Sequence, residues 1–197
     1  MIKSLHKPLM LSAVVLAALA FTSGVAKAQT ENVTATVEVL NALTLTEVDP
    51  LDFGIVAAIS DAADTARLTI DASTGALAAF TTGAPAVFAV IDNATASRAQ
   101  ITVEDGADGA VLNFTINNVV NPLFGGNAFT LTGWETSWNG GAVTAQAFNV
   151  PFTYTFAAAF NAGVNELNIG AEVVTQTAVP VYADGIYAGS FDVVASY

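Results

Sequence analysis

The stretch FNVPFTYTF at residues 148–156 sets Phe148, Val150, Phe152, Tyr154 and Phe156 on one side of an extended chain, with Thr153 and Thr155 on the other. Successive side chains of a strand point to opposite faces, so this period of two predicts a strand with one buried face. Pro151 falls on the polar side and has no N–H to give a ladder, which puts the strand at a sheet edge or makes the proline its start. The same period recurs in both directions along the chain. Val33, Ala35, Val37 and Val39 alternate with Thr34, Thr36 and Glu38, and Leu43 and Leu45 alternate with Thr44 and Thr46. Shorter runs follow at Val87, Ala89 and Ile91 and at Ile101 and Val103, and a last one carries Phe191, Val193, Ala195 and Tyr197. Between them stand turn-forming groups: Asp71 to Gly75, Asp105-Gly106, Asp108-Gly109, Gly125-Gly126-Asn127, Asn139-Gly140-Gly141 and Asp184-Gly185. Many short strands punctuated in this way predict an all-β sandwich or barrel. One alanine-rich stretch, Val56 to Arg67, reads instead as a helical turn.

The first 28 residues have the layout of a bacterial secretory signal peptide. Lys3 and Lys7 give a basic start, Leu9 to Phe21 is apolar except for Ser12, and Ala26-Lys27-Ala28 offers a small-x-small cleavage site before Gln29. The apolar run is shorter than the roughly 20 residues a spanning helix needs. Residues 29–197 are then expected to fold as a single domain, because no repeat, linker or low-complexity segment divides them. A chain of that size can hide about 70% of its unfolded surface and needs no covalent staple.

Composition excludes most chemistry. The chain has no cysteine, and its only histidine, His6, lies in the signal peptide together with three of the five basic residues. Beyond residue 28 only Arg67 and Arg98 stand against 17 acidic residues. Such a chain cannot build a Ser/His/Asp triad, a Cys/His pair, an ordinary zinc or haem site, or a lysine Schiff base, so neither an enzyme nor a cofactor is expected. Nucleic acid would meet a field of the wrong sign. Carboxylate pairs, as in glycoside hydrolysis, are the one catalytic device left, and with so many acids some pair is inevitable. Glu104 to Gly109 has carboxylates enough to suggest calcium but not the ligand spacing, and Asp-Gly is ordinary hairpin chemistry. Trp134 and Trp138 share a strand face, as a sugar-stacking platform would, although such rings more often belong to a core.

Several segments together resemble the domain of unknown function 4402 family of exported bacterial proteins. They are Leu51-Asp52-Phe53-Gly54, Val87-Phe88-Ala89-Val90, Ala99 to Val103, Leu167-Asn168-Ile169-Gly170, and the close from Gly185-Ile186-Tyr187 through Gly189-Ser190-Phe191-Asp192-Val193 to Tyr197. More distantly, the N-terminal strand, Leu-x-Phe-Gly and the closing Gly-x-Tyr strand are similar to spore-coat-U-like pilins of archaic chaperone–usher systems. Such pilins commonly carry a cysteine pair, absent here, and often an aspartate where this chain has Gly189. That resemblance implies an immunoglobulin-like sandwich lacking a strand, filled first by a periplasmic chaperone and then by the N-terminal strand of another copy or a related subunit. In this chain Val33, Ala35, Val37 and Val39 would be the donated side chains, and Phe191, Val193, Ala195 and Tyr197 the C-terminal pairing strand. The same valines serve equally as the first strand of a complete monomer. The expectation is a non-enzymatic surface or fibre subunit. Two other readings stay open: an outer-membrane β-barrel, suggested by the aromatic end of the last strand, and a secreted carbohydrate-binding module.

Overall fold

The computed structural model describes residues 34–36, 43–157, 165–177 and 181–197. The segment expected to be a signal peptide, and Val33, Val37 and Val39, lie outside the described residues, whereas Ala35 is described, exposed and free of regular secondary structure. From Leu43 onward the described chain is all β, with no helix among the described residues.

The larger sheet is organised around β12 (Glu166–Val174). One edge of β12 pairs along its length with β9 (Thr130–Trp138), which carries the short β10 (Thr144–Ala145) outside it. The other edge is shared: Glu166 to Ile169 pair with β6 (Ala99–Glu104), and Glu172 to Val174 with β3 (Ala66–Ile70). β1 (Thr44–Asp49) lies outside β6, and β4 (Leu77–Thr81) outside β3. The smaller sheet centres on the long β7 (Val111–Phe124), flanked by β11 (Phe152–Thr155) and β13 (Ala188–Ser196) and ending in a hairpin with β8 (Asn127–Ala128). β2 (Ile55–Ile59) and β5 (Val87–Asp92) form a separate ribbon. Every ladder is antiparallel.

The two larger sheets face each other through alternate side chains. Leu112, Phe114 and Ile116 of β7 meet Leu68, Val103, Leu167 and Ile169, all fully buried. Burying each such side chain stabilises by about 1.5–3 kcal/mol. The arrangement is compatible with an immunoglobulin-like sandwich. It has a filled interior between separate sheets, which does not fit the barrel reading.

The sequence pattern misleads in two places. Val56 to Arg67 is not helical: it contains β2, a bend, and the start of β3. Val56 and Ala58 turn inward while Ile55 and Ile59 stay outside, and pairing with β5 overrides the helix preference of the alanines. The strand expected from Phe148 begins only at Phe152, because Asn149 adopts a left-handed φ of 58°. Phe148 and Val150 are consequently exposed. The inference from Pro151 holds: it directly precedes β11, an edge strand whose only ladder partner among the described residues is β7.

Turn chemistry follows the sequence closely. Asn139-Gly140 closes the turn after β9, with the Gly141 N–H donating to the Trp138 carbonyl at 2.9 Å. Asp71 organises the β3–β4 turn. Its Oδ1 accepts the N–H groups of Ser73 and Thr74 at 2.9 and 2.8 Å and their hydroxyls at 2.8 and 2.9 Å. Chiefly the Thr74 N–H, against an opposing desolvation and with help from the two hydroxyls, holds this carboxyl below its ordinary range. A carboxyl depressed in the fold stabilises above its unfolded pKa and loses that effect as pH falls through the folded value. Asp71→Ala should therefore cost about 1 kcal/mol in urea denaturation at neutral pH. The gap to wild type should close as the pH drops through the carboxylate range. A gap that stayed constant down to acid pH would mean the turn does not depend on the charge.

Candidate functional site

Alternation buries one face of β13 and leaves the other exposed: Phe191, Val193 and Ala195 are half-buried and face the interior, while Ser190, Asp192, Val194 and Ser196 face out. Phe191 packs against Trp134 with ring centroids 4.8 Å apart. Among the described residues β13 pairs only with β7, and β1 only with β6. The other edge of each strand borders a groove of about 1350 Å³.

One wall of the groove is β1, through Leu45 and Glu47, continued by Pro50 to Ala58. The opposite wall is Ser190 to Val194 of β13. Its floor is apolar, with Phe88, Ile101, Phe129, Leu131 and Val173. Aromatic stacking stiffens one end: Phe129 lies flat on Tyr182 at 4.3 Å and tilted against Tyr187 at 4.8 Å and Phe88 at 5.5 Å. The Tyr182 hydroxyl accepts the Gln176 N–H at 2.7 Å and donates to the Ala128 carbonyl at 3.3 Å. Burial pushes its pKa up against the pull of the Gln176 N–H, so it stays a neutral anchor.

Charge at the groove is all of one sign. Glu47, Asp52, Asp184 and Asp192 line it, and neither arginine does. Arg67 pairs with Glu172 at 3.7 Å. Arg98 donates to the side-chain Oδ1 of Asn168 at 2.7 Å and to the Ser73 main-chain carbonyl at 2.6 Å, with Glu166 at 3.9 Å. Two of the groove acids have local tasks, Asp52 accepting the Gly54 N–H at 2.8 Å and Asp192 accepting from Asn118 at 2.6 Å. An apolar floor between two strand edges suits an extended segment whose alternate side chains are apolar.

Tyr197 completes the alternation of β13 but works outside the groove. Its hydroxyl accepts the Ala107 N–H at 3.1 Å and donates to the Asp105 carbonyl at 3.4 Å. It thereby ties the last strand to the Glu104–Gly109 segment, which is the turn between β6 and β7. Asp105 sits there at φ 63° and accepts the Thr44 hydroxyl at 2.7 Å. The paired tryptophans are core side chains. Trp134 is buried, and Trp138 stacks on Tyr154 at 5.2 Å and 7° with Phe114 at 5.7 Å. No open sugar platform is left between them.

No single strand's pattern shows the groove, which forms only where two sheets meet. A signal for it was nonetheless present: Leu51 to Gly54, Gly185 to Tyr187 and Gly189 to Val193 all line it. Gly189 has a local reason to lack a side chain, since a Cβ there would meet the Val120 carbonyl at 2.5 Å. The family model described as Domain of unknown function (DUF4402) matches residues 43–197. The chain belongs to this family. In this DUF4402 member the matched region starts one residue before β1, so the groove and the thirteen strands of the described residues fall inside it. The alternating segment from Val33 to Val39 precedes it. No curated protein and no solved structure matches the chain.

Proposed function

We propose that this chain is an exported, non-enzymatic structural subunit that assembles at the cell surface by strand exchange, in the manner of a pilin. The observation that carries this reading is the groove, apolar in its floor and bounded by one edge of β1 and one edge of β13. The occupant is the segment around Val33 to Val39 of another copy. Its backbone would hydrogen-bond along β13, and Val33, Ala35, Val37 and Val39 would enter the floor on alternate positions. Before assembly a strand from a periplasmic chaperone would hold the groove, with an usher organising the exchange.

Val37→Asp tests the proposal. Each donated valine buried contributes about 1.5–3 kcal/mol, and an unpaired carboxylate in the same place is strongly disfavoured. The mature variant should sediment as a monomer where wild type forms larger species, and should melt at the temperature of wild type diluted until it dissociates. Its vacant groove should bind a synthetic peptide of residues 31–42. A wild-type monomer, a variant that melts lower and no peptide binding would instead mean that the segment completes its own copy's fold.

A further inference from the structure

We infer that the end of the groove carrying Ile55, Ile91 and Ile186 seats the body of the copy that donates the strand. The inference rests on the strand-exchange reading and specifies a second contact within it. Its first support is chain direction. β1 starts, β6 ends, β7 starts and β13 ends at the Glu104–Ala110 turn, where Thr44 and Tyr197 both touch Asp105. At the opposite end β1 finishes, the Asp52–Ser97 bridge closes, and β13 begins beside Leu123. A strand running antiparallel to β13, the slightly better pairing, enters at the turn end and emerges at the opposite one.

Linker length is the second support. Only Leu40, Asn41, Ala42 and Leu43 separate Val39 from β1. Fully extended, they reach at most about 18 Å. The donating copy's β1, and the domain behind it, must therefore lie against the end where the strand emerges.

That end carries the third. Ile186 is 85% exposed, Ile91 67% and Ile55 57%, and all three line the groove. Large branched aliphatics gathered at the mouth of a groove mark a contact surface. The surface that arrives on the donor is the start of its β1 with Leu43, Thr44 and Tyr197. Two different surfaces meet, so the contact is head-to-tail and can repeat from copy to copy. A strand parallel to β13 would deliver the donor body to the turn end and leave the three isoleucines uncovered.

The test uses the full mature chain carrying Ile91→Asp and Ile186→Asp. Sedimentation should show that it needs at least tenfold more protein than wild type to assemble, while the two proteins, diluted until both are dissociated, melt at the same temperature. In the Val37→Asp background the same pair of changes should weaken binding of the 31–42 peptide by much less than it weakens assembly. Should the pair lower the melting temperature, Ile186→Ser alone, at a side chain almost wholly in solvent, carries the test with a smaller expected shift. Assembly at the wild-type concentration with peptide binding intact overturns the seat and leaves strand exchange standing. Lost peptide binding also overturns it, since the isoleucines would then grip the strand and not the neighbouring body. If wild type neither assembles nor yields a groove that binds the peptide, strand exchange fails and the seat fails with it.

Discussion

Gly170→Ala is expected to remove about 3 kcal/mol or more of stability, among the larger losses a single methyl group can produce. A Cβ at Gly170 would overlap the Ile70 carbonyl oxygen and lie 2.7 Å from the Ala72 N–H. Both obstacles are backbone, which cannot swing aside as the end of a side chain can. The crowding has a topological cause. β12 changes partner there, from β6 at Ile169 to β3 at Glu172, and the chain leaving β3 crosses its face through the gap. Lifting that crossing would also disturb the Asp71 turn and the Arg98–Ser73 bond, whose arginine holds the fully buried Asn168. The variant should show a lower urea midpoint and faster amide exchange over residues 66–81. A midpoint unchanged from wild type would mean that β3 and β12 lie further apart than described.

How much of this could be read from sequence depends on whether the pattern was local. Alternation located β6, β7's neighbour β13 and the first half of β1, because a strand half-buried in a sandwich writes its two faces into consecutive residues. Asp71, Asn139 and Gly125 announced their turns by chemistry that acts within four residues. Val56 to Arg67 failed because alanine's helix preference is weak and the deciding contact, with β5, lies some thirty residues away in sequence. Phe148 and Val150 failed because one left-handed asparagine ended the strand without disturbing the apolar pattern. The groove was the least legible feature. Leu45, Phe53, Phe129, Tyr182 and Phe191 come together only after two sheets have formed and packed, and no spacing rule connects them. What the sequence did carry was a set of motifs resembling DUF4402 proteins, and three of those segments, Leu51 to Gly54, Gly185 to Tyr187 and Gly189 to Val193, border the groove.

Phe114→Ala should produce the opposite pattern from Val37→Asp, and so separates the fold from its use. Phe114 is fully buried on β7 and lies 5.7 Å from Trp138, 5.8 Å from Phe152 and 6.2 Å from Tyr154, ring centre to ring centre. Those rings come from both sheets and from the β11 edge, so deleting the phenyl group opens a cavity that none of them can close without losing another contact. Such truncations cost about 3–5 kcal/mol, which for a domain of this size lowers the melting temperature by roughly 10 °C or more. A loss under about 1 kcal/mol would mean the sheets do not meet at this ring. Phe114 does not line the groove. With Val37→Asp also present to keep the groove vacant, the folded fraction should still bind the 31–42 peptide with undiminished affinity, because Phe114 meets β13 only at Ala195, beyond the part of that strand that lines the groove. If peptide affinity fell together with stability, the groove would be coupled to the whole core and not a preformed acceptor. The strand-exchange reading needs a groove that keeps its shape while waiting for a strand, and only the combination of a large loss in stability with unchanged peptide affinity is consistent with that.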